Sequence, residues 1–169
     1  ATAPTIGAHD DEVRYGVAHG DRVAISMRNY PEWVFAYWAI VSIGAAVVGM
    51  NAWWTTEEME FGLADSRPRV LIADRERVAN VAPVLEALRA AAPLSLITVR
   101  YDGELPEDAV RWEDVIAPAS APPLPAVDID PDDDACIFYT SGTTGFPKGA
   151  QLTHRGSVHN LMNLIFMTT

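Results

Sequence analysis

Over the first hundred positions, short apolar blocks alternate with longer stretches of mixed polarity. Val23 to Ser26 is a continuous apolar run of strand length. Asn29 is placed to cap a helix starting near Pro31, a residue tolerated in a first turn, and Gly44 is placed to end it. Ala45 to Met50 predicts a buried strand. Thr55-Thr56-Glu57-Glu58 has capping-box spacing for a helix reaching about Asp65, with Arg67-Pro68 as its break. Val70 to Ala73 predicts a strand, Glu76 to Ala92 a helix with a start or kink at Pro83, and Leu94 to Val99 a further strand. Strands apolar at every position, alternating with helices, predict an α/β fold whose mostly parallel sheet is flanked by helices on both faces.

Beyond Tyr101 the regularity fades. Arg111 to Ile116 predicts one helical turn, and Ala117 to Pro131, rich in proline and alanine, reads as a connecting segment. Ala135 to Tyr139 predicts a strand, Ala150 to Leu152 a second, and Ser157 to Met167 a helix. The organisation that follows is an irregular start over 1–15, an acidic, proline-rich connection over 101–134, and a strand, loop and helix over 135–169. No internal repeat is present.

The 169 residues, 49% of them hydrophobic, suffice for one domain with a real core. Charge is unevenly spread. The net charge of -11 is concentrated between Asp102 and Asp134, where eleven acids face the lone base Arg111. After Asp134 the chain carries no acid, so Lys148 and Arg155 stand unopposed in sequence, a local field suited to an anion. Lys148 is the one lysine in the chain. An acidic protein of this kind gives no support to nucleic-acid binding.

The stretch from Tyr139 to Gly149, Tyr-Thr-Ser-Gly-Thr-Thr-Gly-Phe-Pro-Lys-Gly, joins hydroxyls, permissive glycines and one cation in a single loop. Glycine lets successive N–H groups converge on one anion, Ser and Thr add donors, and lysine supplies a point charge. Such a loop suits a polyphosphate. It is not a Walker loop, because Lys148 lies between Pro147 and Gly149 and does not enter a helix followed by Ser or Thr.

The run closely resembles the signature loop of the adenylate-forming, AMP-binding superfamily, which includes acyl-CoA and aryl-CoA synthetases, luciferases and peptide-synthetase adenylation domains. Gly20-Asp21-Arg22-Val23-Ala24-Ile25, Asn29-Tyr30-Pro31-Glu32-Trp33-Val34, Gly44-Ala45-Ala46-Val47-Val48 with Asn51, and Gln151-Leu152-Thr153-His154 resemble further family blocks in order and spacing. The resemblance covers most of residues 16 to 168. It implies ATP-dependent activation of a carboxylic acid to an acyl-adenylate, then thioester formation with coenzyme A, with magnesium sharing the phosphate charge. Thr140, Ser141, Gly142, Thr143, Thr144, Gly145 and Lys148 match the phosphate-binding loop residue by residue, and Gly149 is expected to serve the turn. Thr143-Thr144 leans toward the acyl-CoA or aryl-CoA branch, with a fatty acid as the favoured substrate. Residues 1–15 do not match the helix that usually precedes the first block.

The same resemblance implies that the chain is part of a larger N-terminal adenylation domain of an acyl-CoA synthetase, inactive by itself, with the C-terminal lid and its adenylation lysine absent. No catalytic residue is therefore assigned within the chain. The alternatives are a non-catalytic assembly module that keeps the fold, an aryl-CoA ligase, and a peptide-synthetase adenylation domain. A truncated sheet with an open edge favours self-association.

Other candidates weigh less. Trp33 to Thr56 carries no charge, but acidic flanks at Glu32 and Glu57, with Pro31 and Gly44, divide it into pieces of globular length, against a transmembrane span. Peripheral membrane contact stays open. Trp33, Trp38, Trp53 and Trp54 are expected in the core rather than lining an acyl channel. Asp128, Asp130 and Asp132 begin like a calcium loop, yet Asp133 and Tyr139 stand where glycine and glutamate are needed. His154 and His159, five apart, do not share a helical face, which disfavours a zinc pair, although His154 lies near the loop. Cys136 reads as a small buried hydrophobe. A single cysteine, with no secretory signal ahead of the domain, suits a reducing, cytoplasmic setting.

Overall fold

The computed structural model describes residues 15–116, 126–140 and 147–168. Among these residues, seven strands form one sheet: β1 (Arg22–Ser26), β2 (Ala46–Gly49), β3 (Val70–Asp74), β4 (Ser95–Val99), β5 (Ala109–Arg111), β6 (Asp134–Thr140) and β7 (Lys148–Thr153). Their spatial order is β5-β4-β3-β1-β2-β6-β7. All pairs from β5 to β6 are parallel, and β7 returns antiparallel to β6 as a hairpin.

Among the described residues, six helices accompany the strands: α1 (Pro31–Val41), α2 (Thr56–Ser66), α3 (Arg75–Val81), α4 (Leu85–Ala91), α5 (Trp112–Ile116) and α6 (His154–Thr168). From β1 the chain steps to β2 on one side, then crosses to β3 and β4 on the other. Right-handed crossovers running in opposite directions put their helices on opposite faces. One face accordingly packs α1 and α5 on Val23, Ile25, Val47, Ile72 and Ile97. The other packs α2, α3 and α4 on Ala24, Val48, Leu71, Ala73 and Leu96. Alternate residues of one strand thus enter different cores, which is why every position reads as apolar.

Local signals explain most boundaries. The Thr55 hydroxyl accepts the Glu58 N–H while the Glu58 carboxylate accepts the Thr55 N–H, a complete capping box. Arg67 takes the left-handed conformation at φ 47, closing α2 before Pro68. Pro83 lies in a 3-10 turn, Ala82–Val84, that separates α3 from α4, the expected kink. Gly44 sits at φ +72 under the His19 ring, where a Cβ would come within 2.2 Å of its Cδ2.

Three expectations need correction. Tyr30, not Asn29, occupies the cap position of α1, and no side chain caps it. The following proline drives Tyr30 into extended backbone, and proline at the first helical position removes one of the donors a cap would serve. Strand β5 went unrecognised: it has three residues, paired to β4 through Leu96↔Ala109, Ile97↔Val110 and Thr98↔Arg111. Trp38 and Trp53 are exposed at 64% and 75%, whereas Trp54 is buried and Trp33 packs against the first core. Trp53 instead lies beneath the Arg28 guanidinium, 5.5 Å from its ring centroid.

Candidate functional site

In open parallel sheets, ligands usually bind beyond the carboxyl ends of the strands at the point where the chain reverses direction, here between β1 and β3. A buried ion pair stands at the end of β3 there. Asp74, at the end of β3, and Arg77 are each only 4% exposed and form an ion pair at 3.1 Å. The Asp74 carboxylate also accepts the backbone N–H groups of Arg28 and Arg77, at 3.0 and 3.2 Å. Arg77 Nε donates to the Ala52 carbonyl at 2.6 Å. One buried pair therefore ties together the segments leaving β1 and β2 and the start of α3.

The carboxyl end of β6 is different. The β6–β7 hairpin closes on two rungs, Tyr139↔Gly149 and Thr140↔Lys148. Residues directly opposite each other project from the same face. Thr140 and Lys148 consequently stand side by side at the hairpin mouth, both exposed. The Thr140 hydroxyl reaches the Lys148 carbonyl at 3.4 Å, a long contact that leaves it available to another acceptor. Among the described residues, Lys148 makes no ion pair. Ser141, Gly142, Thr143, Thr144 and Gly145 lie outside the described residues.

Arg155 departs from the expected pattern. It is opposed, forming a bidentate pair with Asp132 at 2.6 and 3.1 Å, which holds the Asp132 carboxyl below its usual range. The acidic segment before β6 folds back to the start of α6, a proximity that charge counting along the chain does not reveal. There the carbonyls of Asp133 and Pro131 accept the His154 and Arg155 N–H groups, and the Thr153 hydroxyl accepts that of Gly156. This cap starts α6 three residues earlier than Ser157. The His19 ring lies 2.7 Å from Asp133 and, with the Asp130 N–H, keeps that carboxyl low as well. His154 therefore serves the helix start through its backbone, and His159 is exposed.

Gly149 also differs from expectation. It lies inside β7 rather than in the turn, and a Cβ there would come within 3.0 Å of Ile137 Cγ2 and 3.4 Å of Tyr139 Cζ. Its smallness serves close approach. Cys136 is a buried free thiol, 2% exposed, whose pKa is pushed up by burial.

At the end of the hairpin an exposed ammonium and a neighbouring hydroxyl lack charged partners among the described residues, which leaves both free to act as donors. Among the same residues, no group of three or more His, Cys, Asp or Glu comes together as a metal site. No described helix is long and apolar enough to cross a membrane.

Comparison with known proteins matches residues 13–169 to the family described as AMP-binding enzyme. A 4-coumarate–CoA ligase 2 of Oryza sativa subsp. japonica is 34% identical over 151 residues, 86% of this chain and 26% of that protein. A long-chain-fatty-acid–CoA ligase, FadD13 of Mycobacterium tuberculosis strain H37Rv, is 37% identical over 146 residues, covering 86% and 27%. The crystal structure of the anthranilate CoA ligase AuaEII in complex with anthranoyl-AMP superposes with a TM-score of 0.71 at 31% identity, over 83% of this chain and 26% of that one. The chain thus spans about a quarter of the length of the relatives it matches.

Proposed function

The chain belongs to the AMP-binding enzyme family, and we propose that the whole protein is an acid–thiol ligase that adenylates a carboxylic acid with ATP and transfers the acyl group to coenzyme A. The observation that carries this reading is the last rung of the hairpin, where the lone lysine and Thr140 project together at the carboxyl end of β6. In the first step a carboxylate oxygen bonds to the α-phosphorus, and the bond to the β-phosphate breaks with its electrons leaving on pyrophosphate. In the second, a thiolate attacks the acyl carbon and the C–O bond to AMP breaks.

Thr140, Ser141, Gly142, Thr143, Thr144, Gly145 and Lys148 would hold the β- and γ-phosphates in line as the leaving group. Their contribution is electrostatic positioning, in which hydroxyl, amide and ammonium donors meet charge as it develops. Magnesium, when bound, supplies further neutralisation of the phosphate oxygens.

The acid we favour is fatty or otherwise apolar, because a fatty-acid ligase stands among the relatives at 37% identity; an aryl acid is the competing choice, given the coumarate ligase at 34%. The reading is tested by acid-dependent ATP–pyrophosphate exchange in the whole protein, with octanoate, palmitate and 4-coumarate compared. Exchange driven by a fatty acid is expected. Exchange driven by coumarate alone would move the protein to the aryl branch, and no exchange with any of the three acids would remove the support for the fatty and aryl assignments together. A free Cys136 suits a reducing cytoplasmic setting.

A second reading, an assembly surface, is favoured by α6. Val158, Leu161, Met162 and Ile165 line one side, and Leu164, Phe166 and Met167 extend the apolar surface around the helix. A helix with an exposed apolar arc this wide, opposite a polar face of His159, Asn160 and Asn163, suits a protein interior or an interface. Sedimentation of the 169-residue chain is expected to show concentration-dependent association, abolished by Leu161→Glu/Ile165→Glu. A concentration-independent monomer would remove the assembly reading.

A further inference from the structure

The hairpin that presents Thr140 and Lys148 is tethered at its other rung. On the opposite face from those two side chains, the Tyr139 hydroxyl donates to Asp65 Oδ2 on α2 at 2.6 Å. That length is typical of a hydroxyl bonded to a carboxylate, the stronger class of hydrogen bond. The same oxygen lies 3.4 Å from the Gly62 carbonyl one turn earlier. The two partners are 74 residues apart in the chain, so this bond joins the hairpin to a separate layer of the fold.

The packing around the phenol is built to hold it. Its ring meets Trp54 edge-on, with centroids 5.3 Å apart and planes at 70°. Glycines stand behind both rings. At Gly62 a Cβ would come within 2.6 Å of Trp54 Cζ3, and at Gly149 one would come within 3.4 Å of Tyr139 Cζ. A side chain at Gly62 would displace Trp54, whereas at Gly149 it would rest in ordinary contact with the phenol ring and crowd Ile137 instead. Beside it runs a polar groove of about 410 Å³ lined by Asp65, Arg67, Tyr139, Gly149 and Gln151, so α2 and the hairpin are otherwise held apart here. Burial, reinforced by Asp65, pushes the phenol pKa far up, which keeps the hydroxyl a neutral donor.

We propose that Tyr139 is a positioning residue that, through Asp65, fixes the hairpin from which Thr140 and Lys148 project and thereby sets the affinity for nucleotide phosphates. The inference rests on the phosphate-holding reading of that hairpin. A tether on the penultimate rung restricts both strands next to the last one, so the ammonium and hydroxyl meet the phosphates already oriented.

The test uses the whole protein with Tyr139→Phe, Asp65→Ala, Asp65→Asn and the Tyr139→Phe/Asp65→Ala pair. Tyr139→Phe keeps the ring and its contact with Trp54 while deleting the hydroxyl. In pyrophosphate exchange, KM for ATP is expected to rise about tenfold in Tyr139→Phe and Asp65→Ala, with kcat within about twofold. The double variant should be no worse than either single one, because both remove one bond. Asp65→Asn, which keeps an acceptor, should return KM toward the parent value. An unchanged KM in Tyr139→Phe, or additive effects in the pair, would overturn the proposal.

Amide hydrogen exchange at Thr140, Lys148 and Gly149, measured without ligand, separates this inference from the reading beneath it. Faster exchange in Tyr139→Phe is expected. Unaltered exchange would overturn the tether even in a protein that handles ATP, whereas a parent protein with no pyrophosphate exchange would instead sink the phosphate reading and, with it, the link from tether to affinity.

Discussion

Arg77→Met is expected to destabilise the fold by about 3–5 kcal/mol, the usual cost of stranding one member of a buried ion pair. Asp74 would lose the guanidinium while remaining 4% exposed, with the Arg28 and Arg77 N–H groups as its remaining donors. The Ala52 carbonyl would lose its partner too, loosening the segment between β2 and α2. The size of the effect comes from the abandoned charge rather than from the pair's net worth. A second variant makes that distinction. Asp74→Asn keeps a side-chain oxygen to cap α3 but removes the charge, so Arg77→Met/Asp74→Asn is expected to be more stable than Arg77→Met alone. Urea unfolding with a common slope would measure both, and a double variant losing the sum of the two single costs would contradict the argument.

Placing that pair between β1 and β3 has a functional consequence. The end of β3 is engaged in a buried structural pair, and the exposed Thr140 and Lys148 stand instead where β6 ends. The sheet therefore positions its candidate site one strand beyond β2, on a hairpin rather than on a strand-to-helix turn. A hairpin needs holding from outside, and the Tyr139–Asp65 bond is one way the fold supplies this.

Most of the architecture was legible because its signals are local. The capping box at Thr55, the break at Pro68 and the kink at Pro83 each act within one turn of chain. The continuous apolar strands announced a sheet covered on both faces. What escaped depends on distant partners. Strand β5 follows a polar stretch, and its three residues become a strand because β4 offers a ladder, with the Thr98 hydroxyl donating to the Val110 carbonyl. Arg155 looked unopposed because Asp132 lies 23 residues earlier. Tyr30 displaced Asn29 as the cap because proline already organises that helix start. At the candidate site, the residue types of the loop suggest phosphate chemistry, five of its seven candidate residues lie outside the described residues, and the structure places Thr140 and Lys148 on the last rung. The tether at Tyr139 was not readable, since no local pattern links it to Asp65.

Lys148→Ala is expected to have the largest effect on activity. The ammonium is exposed and makes no ion pair among the described residues, so its removal should leave the thermal midpoint nearly unchanged. If it meets the leaving phosphates, the loss falls on the transition state, where deleting one preorganised electrostatic group typically costs about 10²–10³ in rate. Lys148→Arg should recover only part, since a planar fork replaces a compact charge beside Thr140. The most direct measurement of the central claim is acid-dependent ATP–pyrophosphate exchange by the whole protein with and without Lys148→Ala. A fall in kcat/KM for ATP of about a hundredfold or more, at unchanged stability, is the predicted result; exchange within about twofold of the parent would contradict a phosphate-holding role for the hairpin.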